Sequence, residues 1–505
     1  MSVLKKLAGQ TAIYGSSSII GRFLNFLLTP LYALQFTNEQ YGIITELYAY
    51  VAFLVVLLTY GMETSYFRFS TIKENKPSDV YSNTLYSLFT TSSFFIIVIT
   101  FFSQTIADWL KYPDHFEYII WFGIIVALDA ISSIPLAKLR SEFKAKKFAL
   151  VNFANVGVNI SLNLFFIYYC KSNFDAGNTN WLINQLYNPE IGVGYVFISN
   201  LISSIIKFLL LVPEMSFKGE FKWELLKKMF GYSYPMLFVG LAYVINETLD
   251  RAMLKNILFN SYIEEGFNST ESLTKALEKN GIYGANYKIT MIVTMFIQAF
   301  RYASEPFFFK NEADKNSKTI ISKIMTYFVI VLVFIFLTIT LYLHVFKYFI
   351  PNEIYWEGLV VVPILLAANI CLGIYTTLSI WYKLSKHTIY GAYISGFGAI
   401  LTLTINYLLI PIYGYLACAI TTLICYFSMM VISYFLGQKH YHIPYDLNKI
   451  FLYVFIGAGL YAISLPFEPM ENYQWDGYAY HTFLIFAFIL IVYFKEIRKE
   501  KMVVL

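Results

Sequence analysis

Charge is what this sequence has least of. Asp, Glu, Lys and Arg make up 14% of its 505 residues and 58% of the chain is hydrophobic, whereas a soluble domain is about 25% charged. An ordinary water-soluble fold is excluded. Cysteine is nearly absent. Cys170, Cys371, Cys418 and Cys425 have no C-x-x-C spacing, so neither a disulfide framework nor a cysteine metal site is expected. The six histidines lack H-E-x-x-H spacing and no G-x-x-x-x-G-K-[ST] loop occurs, so metal-dependent hydrolysis and nucleotide hydrolysis by that loop have no apparatus here. No Ser/His/Asp or carboxylate constellation stands out, and no basic-aromatic cluster points to nucleic acid. The expectation is a protein without catalytic residues, metal or bound cofactor.

What is present is apolar length. A hydrocarbon core about 30 Å thick needs about twenty apolar residues per helix. Such stretches recur at about residues 11–36, 41–67, 81–110, 118–137, 148–170, 191–212, 230–256, 282–303, 323–350, 359–382, 389–410, 415–437, 450–466 and 481–494. A β-barrel would instead show segments of about ten alternating residues. With Lys5 and Lys6 placed in the cytoplasm, most of the 37 Lys and Arg fall in inner loops and tails. The richest are "KLRSEFKAKK" and "KNEADKNSKT", the asymmetry expected of cytoplasmic loops. Net charge of +5 then reports topology and affinity for anionic lipid. Trp109, Trp121, Trp223, Trp356 and Trp475 sit near span ends, as interfacial anchors do. The first span is too long for a signal-peptide core and is expected to be retained.

One pattern occurs twice. "YGIITELYAYVAFLVVLLTYGMETSYF" runs from Tyr41 to Phe67, and "YGANYKITMIVTMFIQAFRYASEPFFF" from Tyr283 to Phe309. Tyr41, Gly42, Val51, Tyr60, Glu63 and Phe67 all recur 242 residues later. Spans 2 and 8 are therefore equivalent, and six is even, so spans 1–6 and 7–12 form two parallel six-helix bundles, a recurring transporter plan with the substrate path between halves. The expected fold is an all-α integral membrane protein of about fourteen transmembrane helices. Residues 1–212 form the first bundle, 213–229 a basic cytoplasmic linker, 230–437 the second bundle, and 438–505 two further helices and a tail.

Polar side chains in such helices are costly and usually face a cavity or a partner. In span 1, Ser18, Arg22, Asn25 and Thr29 form one helical stripe. Arg22 has no acid in its own span, and its planar guanidinium suits a phosphate or diphosphate. Span 7 gathers Tyr243, Asn246, Glu247, Asp250 and Arg251. Arg251 there is either neutralised by Glu247 or Asp250 or contacts substrate. Span 8 carries Lys288, Thr290, Thr294, Gln298 and Arg301, and span 5 a stripe of Asn152, Asn155, Asn159 and Asn163 suited to interhelical hydrogen bonds or to sugar. Lys207 and Lys288 lie near enough to an interface to snorkel. Glu63 and Glu305 are expected to form local salt bridges near Arg68, Arg301 and Lys310.

The fourteen spans, the run "LKKLAGQTAIYGSSSIIGRFLNFLLTPLYALQFTNEQYGIITELYAY" and the segment "LDRAMLK…GIYGANYKI" together resemble the Wzx-type polysaccharide flippases of the multidrug/oligosaccharidyl-lipid/polysaccharide exporter superfamily. The resemblance implies two six-helix bundles in a V around a central cavity, with two C-terminal helices. It implies transfer of undecaprenyl-diphosphate-linked repeat units of O antigen, capsule or exopolysaccharide across a bacterial inner membrane by alternating access, driven by an H+ or Na+ gradient. Both termini would be cytoplasmic, and polysaccharide polymerase and export proteins would be partners.

The family's cationic cavity carries over to Arg22 and Arg251. Ser18, Asn25, Thr29, Asn246, Gln298, Lys288, Asn155 and Asn159 complete the expected site, with Glu247, Asp250 and Glu46 as candidates for ion coupling. The lipid II flippases have a second Arg along span 1, where this chain reads "NFLLTPL". A lipid II flippase, a cation-coupled small-molecule exporter and a membrane polymerase of lipid-linked repeats are the alternatives, the last without the large outer loop it would need.

Overall fold

In the computed structural model of the chain, residues 19–310, 316–385, 387, 389–467 and 475–497 are described. They contain helices and turns and no strand. We number the helices α1 (residues 19–35), α2 (Asn38–Ser70), α3 (Pro77–Phe101), α4 (Phe116–Ser141), α5 (Ala145–Asp175), α6 (Gly194–Glu214), α7 (Trp223–Glu264), α8 (Ser269–Lys310), α9 (Ser317–Leu341), α10 (Glu353–Leu384), α11 (Ile389–Tyr413), α12 (Tyr415–His440), α13 (Leu447–Ser464) and α14 (Asp476–Glu496). Each coincides with one expected span. Among the described residues, eleven of them are long and apolar enough to cross a membrane; the others are α1, α7 and α8. The chain is a multi-pass membrane protein.

Local chemistry sets the helix limits. Thr37 caps α2 in a capping box with Gln40, satisfying two donors that an N-terminus leaves open. Near its other end α2 breaks at Tyr60 and Gly61, both in the left-handed region with φ of 32° and 72°, and resumes at Met62. Pro77 opens α3, a position where its missing N–H costs nothing. α7 and α8 have 42 residues each, about 63 Å at 1.5 Å per residue, well beyond the lengths expected from hydropathy. The additional turns, such as "SLTKALEKNG" before Ile282, consist largely of good helix formers whose charges suit water rather than lipid.

The chain divides into two compact units, one of Met1–Gly284 with Ser395–Cys418 and the other of Ala285–Ile394 with Ala419–Leu505. In the first, α4 is the most buried span. Tyr118, Phe122 and Ile125 pack with Ile44, Leu47 and Phe197 towards one end, and Ile131 and Ile134 with Met62, Tyr81, Leu85 and Met229 towards the other. In the second unit α9 takes this place, with Gly373 of α10 against Leu332 and Gly457 of α13 against Val333. A helix apolar on every side is stable only when surrounded.

The segment after α6 is not a loose linker. Residues 214–222 are strapped across the first turns of α3. Tyr81 donates to the Glu214 carbonyl at 2.9 Å, and the Gly219 N–H donates to Ser82 Oγ at 2.9 Å. Asn83 donates to the Glu220 carbonyl and accepts from the Lys222 N–H at 2.8 and 2.9 Å. Lys222 closes the strap on Asp79 at 2.6 Å. No side chain at position 219 fits, since a Cβ there would lie 2.2 Å from the Ser78 carbonyl oxygen.

The repeated Tyr-Gly pairs meet in the first unit. Tyr41 and Tyr283 are both buried. Each turns to the helix before its own, Tyr41 bonding to Thr29 of α1 and Tyr283 donating to Asp250 of α7 at 2.5 Å. Gly42 and, two residues before Tyr283, Gly281 bring α2 and α8 into backbone contact. A Cβ on Gly42 would stand 2.0 Å from the Leu277 carbonyl oxygen, and one on Gly281 would stand 1.9 Å from that of Asn38. Asn280 bridges the seam to the Gly42 carbonyl at 3.3 Å. Small residues permit this approach in membrane helices.

Gly281→Ala is therefore expected to cost about 1–3 kcal/mol, read as a lower thermal midpoint in detergent. Gly157→Ala, where nothing lies within 4 Å, should leave the midpoint unchanged, and equal midpoints for both variants would remove the seam as a packing constraint.

Candidate functional site

Two groups of polar residues lie within the membrane helices of the first unit. The first joins α1 and α5, which come together at Gly21, where an added Cβ would lie 3.3 Å from Val156. Asn25 accepts a hydrogen bond from Asn159 at 3.0 Å, Asn159 Oδ1 accepts one from Asn163 at 3.1 Å, and Asn163 accepts one from the Tyr32 hydroxyl at 2.8 Å. Arg22 projects from α1 one turn before Asn25 and is exposed. Asn155 adds a buried amide oxygen that no protein donor reaches. A guanidinium beside a row of amides offers fixed donors to an anion and alternating donors and acceptors to hydroxyl groups. Ser18 lies outside the described residues, and Thr29 is buried and bonded to Tyr41.

The second group is centred on α7. Asn246 is buried, donates to the Ser395 carbonyl at 3.3 Å and accepts from Thr402 at 3.0 Å, both of α11. Asp250 accepts the Tyr283 hydroxyl proton. Arg251 lies 3.5 Å from Asp250 Oδ1, donates to the Glu247 carbonyl at 2.8 Å and is buried. Arg251 thus stands in a buried ion pair with Asp250.

One turn further, Lys255 and Glu46 of α2 are both fully enclosed, 3.2 Å apart. Tyr112 donates to Glu46 at 2.5 Å, and Lys255 also donates to the Leu110 carbonyl at 2.6 Å. Among these, Lys255 and Tyr112 escaped the sequence reading. Lys255 could have been found, since it follows Arg251 by four residues and shares its face. Tyr112 sits in a turn with no periodic signal.

Elsewhere, Lys207 does not reach for the interface. It is 8% exposed and pairs with Asp129 of α4 at 2.5 Å, which Ser204 also contacts. Glu63 pairs with Arg140 of α4. Lys288 and Gln298 belong to the second unit, where both are half-buried. Among the described residues no three metal-ligating side chains converge.

Lys111 lies just outside the helices, its ammonium 3.2 Å above the Phe259 ring. Burial, aided by the charge on Lys255, pulls it down from the usual 10.5 to about 8.

The described residues define an all-α, multi-pass membrane protein. The family of polysaccharide biosynthesis proteins matches residues 7–312, and the chain belongs to that family, whose members are membrane flippases rather than enzymes. Among solved structures it is similar to an inward-facing multidrug resistance MATE family transporter of the MOP superfamily (13% identity over 82% of this chain and 93% of that one, TM-score 0.62). It is also similar to the lipid II flippase MurJ in an inward closed conformation (12% identity, 96% and 100%, TM-score 0.60). An outward-facing MATE transporter gives 13% identity over 87% and 98%, with TM-score 0.58. At these identities the likeness is one of fold. The comparison with curated proteins finds no match.

Removing one partner of a buried pair leaves a charge stranded and costs about 3–5 kcal/mol, whereas replacing both by apolar groups of like volume is often neutral. Lys255→Met should therefore destabilise strongly in a detergent unfolding assay, and Glu46→Leu added to it should restore most of the loss. No rescue would show that the two sites act independently.

Lys111 carries its own prediction. A folded value near 8 against 10.5 unfolded means that between those limits the unfolded chain holds more protons. Its contribution to stability then grows as pH rises through the window and is unfavourable below it. Amine labelling of Lys111 should be half-maximal near pH 8 in the folded protein and near 10.5 in urea; a midpoint near 10.5 in the folded protein would contradict the burial.

Proposed function

We propose that this protein moves undecaprenyl-diphosphate-linked glycan repeat units from the cytoplasmic to the outer leaflet of a bacterial inner membrane, by alternating access coupled to an H+ or Na+ gradient. The single observation that carries the reading is membership of the polysaccharide biosynthesis family across residues 7–312. The polar face of α1 and α5 is consistent with it. A diphosphate bearing sugars cannot enter hydrocarbon unaided, because an ionised group stripped of water has nothing to replace it. Arg22 supplies a permanent positive charge, and the amides of Asn25, Asn155 and Asn159 on the same face suit sugar hydroxyl groups, while the polyprenyl tail stays in lipid. We assign coupling to Asp250 and Glu46, a reading supported by their burial beside a basic partner.

The test is transbilayer movement of an undecaprenyl-diphosphate oligosaccharide in liposomes holding the purified protein, with and without an imposed gradient. Head groups should become accessible on the far side only with protein, and faster with one ion. Arg22→Ala should lower that rate at least tenfold with Arg22→Lys intermediate, as expected for a charge-assisted contact of about 1.5–3 kcal/mol. Full activity of the alanine variant would take Arg22 out of the mechanism, and movement of apolar cations but of no glycan lipid would favour a small-molecule exporter.

A further inference from the structure

The turn between α4 and α5 holds a concentration of charge that the transport reading does not use. Glu214, at the end of α6 and 8% exposed, draws in Lys147 at 2.5 Å, Lys144 at 3.7 Å and Lys138 at 3.8 Å. Lys138 also donates to the Glu214 carbonyl at 3.0 Å, and Lys144 lies 2.7 Å from Glu142. Lys146, between them, is exposed. Four ammonium groups thus stand with two carboxylates, leaving a local excess of positive charge that the fold holds in place through Glu214. The backbone is fixed as well, since Phe143 in the same turn has φ of 58° and an exposed ring.

Below this cluster α5 turns an apolar face outward. The exposed positions of the helix follow one stripe from Lys146 to Leu150, Phe153 and Gly157, with Leu150 64% and Phe153 40% exposed. Their spacing of four, three and four residues keeps them beneath the lysines. At position 157 there is open space where a side chain would be. The charge lies at the end of the helix where the sequence places its basic loops, and the apolar stripe runs from it into the depth of the hydrocarbon. The ligand that matches both is an amphiphile, with an anionic head at the lysines and a chain along the stripe. An acidic protein segment would meet the charge and leave the stripe unmatched.

We propose that the α4–α5 turn is a binding site for an anionic phospholipid, its phosphate held by Lys144, Lys146 and Lys147 and its acyl chain lying along Leu150, Phe153 and Gly157. Glu214 is a positioning residue, since it gathers the lysines and does not meet the lipid. Lipid-facing lysines at a membrane surface contribute about fivefold in affinity each for anionic lipid.

The probe is phosphatidylglycerol, with phosphatidylcholine as the neutral comparison, titrated onto the detergent-purified full-length chain and counted by native mass spectrometry. K146Q, which breaks no ion pair described above, should lower phosphatidylglycerol retention about fivefold, and K144Q/K146Q/K147Q should lower it further. The arginine triple K144R/K146R/K147R should retain it, and K227Q/K228Q, which removes two charges elsewhere, should not alter it. Retention unchanged in K146Q and in a folded glutamine triple would overturn the proposal. So would an equal loss in K227Q/K228Q, or phosphatidylcholine held as tightly as phosphatidylglycerol by the unaltered protein.

Discussion

Opposite charges sealed from solvent at Glu46 and Lys255 set the terms on which α2 and α7 pack. Neither ion is tolerable alone in such surroundings, so each fixes the other's position, and the turn at 110–112 is drawn in to supply a carbonyl and a hydroxyl. A second pair, Asp250 with Arg251, lies about one turn away on α7, with Tyr283 completing it. Polar contacts of this kind contribute less net stability than the burial of apolar surface does. They do tie α7 to its neighbours at fixed points, Lys255 to Glu46 of α2 and Asp250 to Tyr283 of α8.

Hydropathy made the fourteen helices legible, because each helix must hide its backbone from lipid and can do so only with about twenty apolar residues. Where charge interrupts the apolar run, hydropathy stops but the helix does not, which is why α7 and α8 outrun the lengths read from them. The polar sites were legible in part. Helical spacing alone gathered Asn155 and Asn159 on α5, and Asn246 with Asp250 and Arg251 on α7. Spacing has nothing to say about partners from elsewhere in the chain. From the sequence Lys207 reads as a side chain reaching for the interface, because Asp129, 78 residues away, cannot be aligned with it by any period. Lys255 needed Glu46, and Tyr112 needed both.

The strap at 214–222 shows how a segment read as linker becomes structure. Its composition is polar and basic, as a loop's is, but Asp79, Ser82 and Asn83 at the start of α3 supply the partners its backbone lacks. Tension on α7 would thereby be transmitted to α3 as well as to α6, to which α7 is joined in sequence.

The seam between α2 and α8 has a different character from the ion pairs. At Gly42 and Gly281 main chain meets main chain, so the glycines themselves have no rotamers to order when the helices join, while Asn280 and Thr274 add side-chain hydrogen bonds across the seam. The two glycines therefore act like the matched faces of a hinge leaf, giving a resting position set by how closely two backbones can approach, with the hydrogen bonds as the latch.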